Sequence, residues 1–193
     1  MDDARHDEAA IDALVRRSAD GDAAAFGGLY DVYAPRVRRF LCHQLGDADV
    51  AEELLQRTFV KMIEALPRYR SRGLPFGAWV FRIARNAVID HRRTAHPGLS
   101  LDLVMERASD AGDPVVAAER DHDRARLRAA LDALPEDQRE VLVWRFFAEL
   151  TPAETAALMG RSNGAVRVLQ HRALGALRGI LDASDVDVGA GHS

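Results

Sequence analysis

Two arginine-rich helical stretches carry the residues whose types and spacing could do chemistry. That chemistry is the gripping of nucleic acid. In the first stretch Arg82, Asn86 and Arg93 fall on one side at helical spacing, with Arg85 and Ile89 adjoining. Guanidinium groups hold phosphate and an amide bonds a base edge. The nearby rings of Trp79 and Phe81 offer faces on which an unpaired base stacks, so the set suits single-stranded DNA. The plainer reading makes Trp79 a core residue, which burial preferences favour, and the arginines a solvated surface. In the second stretch Arg167, His171, Arg172 and Arg178 follow one another with no intervening acid. Arginine reads guanine bidentately or simply grips phosphate. Here the plainer reading is a charged face on the last helix of a bundle.

The elements that must position the second set are legible. Thr151 caps a helix, Pro152 suits its first position, and Glu154 completes a Thr-x-x-Glu capping box. Gly160 permits a tight turn, and Ser162 caps the next helix. On that helix Val166, Leu169, Ala173 and Leu177 form the inward face, leaving Arg167, His171 and Arg172 outward. A helix, a turn and a basic second helix form a device for entering the DNA major groove.

The first set rests on a helix opened by Pro75, with Phe76, Trp79, Val80, Ile83 and Ala87 inward, running to Arg93. Upstream, residues 8–18 read as a helix stopped by Ala19-Asp20-Gly21-Asp22. Asp22 caps a second helix with Phe26, Leu29, Tyr33, Val37, Phe40 and Leu41 at spacings of three or four, broken at Gly46-Asp47. A third runs from Ala48 to Leu66 with Val50, Leu54, Phe59 and Ile63 inward. Downstream, Pro114 opens a helix carrying Val116, Leu127, Ala130 and Leu134, and Pro135 opens another with Val141, Leu142, Trp144 and Phe147. No stretch alternates as a strand does. The expectation is an all-α chain of two small helical domains joined by a flexible linker. Residues 1–21 form an N-terminal extension with a helix, and 22–93 the first domain. Residues 94–113 are the linker, with a helical turn at Leu101–Met105. Residues 114–181 form the helix-turn-helix domain, and 182–193 a frayed tail.

Composition narrows the function. The 193 residues are 48% hydrophobic, enough to bury cores, and carry a net charge of −4. That sum hides segregation. Arg68, Arg70, Arg72, Arg82, Arg85, Arg92 and Arg93 face only Asp90 in their stretch, while acids gather in the first twenty residues and between Asp102 and Asp123. The lone Cys42 cannot form an intrachain disulfide, the acidic N-terminus lacks a signal-peptide layout, and no apolar run would insert in a membrane. A cytoplasmic home is expected. Cys42-His43 and the pair His91 and His96 lack companions at metal spacing, and Gly189-Ala190-Gly191 lacks the context of a nucleotide loop. No enzyme activity, metal or cofactor is expected.

Taken together these segments resemble extracytoplasmic-function sigma factors. Phe76–Arg93 is similar to their promoter-melting and −10 recognition segment. Asp49–Phe59 looks like their core-polymerase-binding helix. Leu134–Leu142, with the helix-turn-helix, looks like their −35-binding domain. The resemblance spans Phe26 to Arg178. It implies that Asp49, Glu52, Glu53, Leu55 and Gln56 meet the RNA polymerase core, through the clamp helices of its beta-prime subunit, with the beta subunit also a partner. It implies that Asn86 binds a base flipped from the non-template strand, with Arg82, Arg85, Ile89, Asp90, Arg92 and Arg93 around it. Ser162, Arg167, His171 and Arg172 would contact the −35 duplex. Promoter DNA and an anti-sigma factor are the other partners it implies. Two departures stand out. Arg57 occupies a place usually acidic in the family, and Val168 and Leu169 replace more polar residues. The rival reading is a dimeric one-component regulator, which would have no use for Asp49–Phe59 or Phe76–Arg93. A pure protein-interaction module would not need two acid-poor basic helices.

Overall fold

A computed structural model of the chain describes residues 8–71, 74–95 and 117–189. All its regular elements are helical among those residues. Helix α1 spans Glu8–Ala19, α2 Ala23–Leu45 and α3 Ala48–Ala65, which tightens into a 3₁₀ turn at Leu66–Arg68. Helix α4 spans Phe76–Ala95, α5 Ala117–Asp132 and α6 Glu136–Leu142. A π turn at Val143–Phe147 precedes α7, Pro152–Met159, and α8, Asn163–Gly189.

Local chemistry sets the boundaries of the first unit. The Asp22 carboxylate accepts from the amides of Ala24 at 2.9 Å and Ala25 at 3.0 Å, and Arg17 donates to it at 2.6 Å. The Ala25 amide, and then the Arg17 guanidinium, hold that carboxyl below its usual range. Gly46, at φ 66°, ends α2, and Asp47 immediately caps α3 through Asp49 N and Val50 N. From α2 the side chains Leu29, Val37, Phe40 and Leu41 meet Leu54 and Met62 of α3 and Val80, Phe81 and Ala84 of α4, all at most 2% exposed. Helix α1 packs along α2 and onto the 3₁₀ turn.

Three expectations are corrected. Ile63, expected inward, is 51% exposed, and Met62 fills the core instead. The buried stripe of α3 runs Leu55, Phe59, Met62, Leu66, so Ile63 stands about 100° further round, toward solvent. Leu127 on α5 is likewise exposed. The tail expected from residue 182 is still helix, because no glycine or proline interrupts the chain between Gly179 and Gly189. The linker, its turn at Leu101–Met105, and Pro114 and Val116 lie outside the described residues, as do 1–7 and 190–193.

The second unit closes around Leu131, Leu134, Val141, Leu142, Ala156, Val166, Leu169 and Ala173. The π turn divides its entering helix between two cores. Val141 and Leu142, before it, stay in this cluster. Val143, Trp144, Ala148 and Leu150 are buried in the core of the first unit. The wider turn shifts the helical phase, which re-aims the residues that follow. The Trp144 indole stacks on Phe40 at 4.8 Å and 21°, and meets Phe81 edge-on at 6.1 Å. His43 stacks on Phe147 at 3.8 Å. The two units are thus in contact through these rings.

Candidate nucleic-acid interface

The helix-turn-helix is built as its sequence implies. Thr151 Oγ1 accepts from Glu154 N at 3.1 Å while Glu154 Oε2 accepts from Thr151 N at 2.7 Å, completing the capping box. Gly160, at φ 63°, makes the turn, and Ser162 Oγ accepts from Ala165 N at 3.2 Å to start α8. Val166 and Ala173 are fully buried and Leu169 nearly so, which fixes the roll of α8. Arg167, His171 and Arg172 therefore emerge together on its exposed side. Arg145 donates through Nε to Gln170 Oε1 at 3.0 Å, bracing the helix from behind. The Ser162 hydroxyl is engaged in capping, so its first duty is local.

The other set lies along α4. Arg82, Arg85, Asn86 and Arg93 are exposed, and Ile89 and Asp90 half-buried. Asp90 pairs with Lys61 of α3 at 3.8 Å and with Arg93 at 3.4 Å. Arg92 is turned inward, and its Nη2 donates to the Gln44 carbonyl at 2.5 Å and to Gln44 Oε1 at 3.2 Å. Burial pulls its guanidinium below the ordinary pKa, so Arg92 ties α4 to the end of α2. Arg85 bonds to Glu140 of the second unit at 3.4 Å.

Between α3, the 3₁₀ turn and α4 opens a groove of about 670 Å³. From α4 it is lined by Trp79, Arg82, Ile83 and Asn86. Lys61, Glu64, Tyr69 and Ser71 are among the other lining residues. Trp79, expected inward, is only partly buried, with its ring 4.7 Å from Tyr69 and 5.2 Å from Phe76. Burial also raises the Tyr69 phenol, with a hydrogen bond from Ser71 opposing. Tyr69, Lys61 and Glu64 are not among the residues that the sequence singles out. Lys61 is the chain's single lysine, which was the available signal.

Helix α3 offers a third surface. Asp49, Glu53 and Gln56 are exposed and Glu52 partly so, paired with Arg38 at 3.5 Å. Leu55, expected on this surface, is only 3% exposed and packs in the core, so it cannot present its side chain there. Val60 and Ile63 are exposed instead. Asp49, Glu53, Gln56, Val60 and Ile63 recur at alternating steps of four and three, the seam by which one helix packs along another. Arg57, in the usually acidic place, pairs locally with Glu53 at 3.5 Å. Among the described residues no cluster of three His, Cys, Asp or Glu could hold a metal, and no helix is long and apolar enough to cross a membrane.

Comparison with known proteins agrees with this layout. Residues 29–97 match Sigma-70 region 2, and residues 130–179 match Sigma-70 region 4. The ECF RNA polymerase sigma factor ShbA of Streptomyces griseus is 42% identical over 89% of this chain and 95% of its own length. The chain belongs to the extracytoplasmic-function sigma factors. Another such sigma factor, SigD of Mycobacterium tuberculosis, is 37% identical over 87% of this chain and 82% of its own. The solved structure of CnrH in complex with the cytosolic domain of CnrY aligns with a TM-score of 0.64 at 28% identity, covering 90% of this sigma factor and 98% of CnrH. The first unit described above is thus region 2, and the second region 4. In this sigma factor the groove belongs to region 2 and the helix-turn-helix to region 4.

Proposed function

We propose that this alternative sigma factor binds the RNA polymerase core, recognises promoter −35 and −10 elements, and helps open the duplex. The groove in region 2 carries the reading. It joins a cavity with ample room for a base to aromatic and cationic side chains, the combination that takes an unstacked base. Asn86 on its wall would bond the base edge, Trp79 and Tyr69 would stack on it, and Arg82 and Lys61 would hold the strand. Capturing an extruded base offsets part of the unstacking energy, so recognition and opening become one event. Arg167, His171 and Arg172 would meanwhile grip the −35 duplex through the major groove.

The polymerase would dock on the α3 seam, where Asp49, Glu53 and Gln56 give polar register and Val60 and Ile63 supply apolar contact. An anti-sigma factor would act by covering such surfaces. The CnrH relative is itself held with a protein partner. No covalent chemistry is required of the chain in this role. Mixing purified protein with core polymerase and promoter templates is expected to give specific transcripts. A chain that never binds core sinks the reading.

A further inference from the structure

Helix α8 exposes an apolar side chain in the middle of its basic face. Val168 is 52% exposed, within the first two turns of the helix and among Arg167, His171 and Arg172. Helical geometry, at about 100° per residue, places His171 about 60° to one side of it and Arg172 about 40° to the other. Gly164, one turn earlier on the same face, has no side chain to screen it. The buried Val166 and Ala173 stand about 160° and about 140° away, so the domain core cannot take the Val168 methyl groups. Ser162 caps the start of the helix and Arg145 bonds Gln170 behind it, which keeps α8 from rolling to bury Val168.

What this side chain meets on DNA follows from what it lacks. It carries no charge and no hydrogen-bonding group, so neither a phosphate nor the polar edge of a base rewards it. The floor of the major groove offers one apolar group, the 5-methyl of thymine. Residues in the opening turns of a recognition helix are the ones that reach base edges. Val168 is β-branched, so its methyl groups are already held in one arrangement and lose little freedom on contact. With His171 and Arg172 gripping DNA on either side, Val168 is brought to the floor between them. Leu174, 40% exposed, stands about 120° round from Val168 and more than a turn further along, clear of that floor.

We infer that Val168 is a specificity-determining residue that reads the 5-methyl group of one thymine in the −35 element. This role rests on the promoter reading above and deepens it by assigning a base type to one position of that element.

Deoxyuridine differs from thymidine by that methyl group alone, so it isolates the contact. The probe is promoter duplex carrying the −35 sequence that holoenzyme selects from a random pool, with each −35 thymine replaced in turn by deoxyuridine. With wild-type holoenzyme one replacement is expected to cost about fourfold in competition binding, the worth of one methyl group leaving water. Val168→Ala should lose about fourfold on the thymine duplex and less than about 1.5-fold more on the deoxyuridine duplex, the mark of two groups sharing one contact. Alanine is the better helix former, so this variant keeps its fold. Leu174→Ala should retain the full deoxyuridine penalty. No sensitive thymine, a penalty that persists in Val168→Ala, or a loss that Val168→Ala shows equally on every sequence overturns the contact. Holoenzyme that selects no −35 sequence at all overturns the promoter reading itself, whereas failure of the methyl contact alone leaves that selection intact.

Discussion

Glu154 closes its own helix with one carboxylate oxygen and lays the other against the bare backbone of Gly77, in the other domain. The carboxylate cannot simply swing away from an added methyl group, because Thr151 N and Arg36 hold it from the far side. In an unobstructed helix, glycine to alanine stabilises by about 0.5–1 kcal/mol. At Gly77 the overlap should reverse that sign. Gly77→Ala is expected to lower stability by about 1–3 kcal/mol, the usual range for an overpacked site. Urea unfolding measures it, and a more stable variant would show that Glu154 yields freely.

Acid should loosen the same boundary. Burial lowers the pKa of His43 to about 4; Arg128 and Arg92 push the same way and Asp132 opposes them. In the unfolded chain a histidine titrates near about 6.5. As pH falls between those values the unfolded state gains a proton that the folded state refuses. Stability is therefore full above about pH 6.5 and is lost progressively toward about pH 4, by roughly 3 kcal/mol at most. His43→Phe keeps a ring against Phe147 but cannot titrate. Melting temperatures should fall less steeply for it across that window. Parallel curves would clear His43 of the effect.

The single lysine gives the groove a chemical reporter. An amine-reactive reagent followed by peptide mapping should modify Lys61, which is exposed at the rim. Single-stranded non-template DNA bound in holoenzyme should protect it, and duplex lacking a −10 element should not. Equal labelling with and without the strand would move the DNA path elsewhere.

Asn86→Ala should weaken discrimination at one −10 base by about 1–3 kcal/mol, the value of a good base-edge contact, while core affinity holds. Competition between matched and mismatched strands reads this out. Loss of core binding instead would assign Asn86 a different role.

Arg172→Ala on α8 should cost about 1–3 kcal/mol on a −35 duplex if it reads a base, with sequence preference relaxed at one position. A uniform loss across sequences would make it a phosphate contact. No loss at all makes it a bystander.

Ile63→Asp tests the α3 seam. Ile63 is half exposed, so stability should change by less than about 0.5 kcal/mol. Affinity for core should nonetheless fall severalfold in a direct binding assay. An unchanged affinity places the polymerase on another face.

Much of this molecule was written locally. Asp22, Gly46, Asp47, Thr151, Glu154, Gly160 and Ser162 set helix ends through bonds to residues a few positions away, so spacing alone revealed them. The outward set on α8 followed from the inward period of Val166, Leu169 and Ala173. The sequence by itself therefore determined an all-α fold, its two basic helices and the family they resemble.

What depended on packing between distant segments was not legible. The roll of α3, set by its packing against α2 and α4, puts Ile63 outward and Leu55 in the core. The groove needed Lys61, Tyr69 and Asn86 to converge from three elements. Arg92 looked like a DNA contact until the end of α2 supplied Gln44 as its acceptor. Above all, no local pattern announced that Trp144 belongs to the core of the other domain, or that Gly77 is small because Glu154 lies on it. Helix caps are short-range and periodic. The contact of one domain with another is neither, so only the tertiary structure decided it.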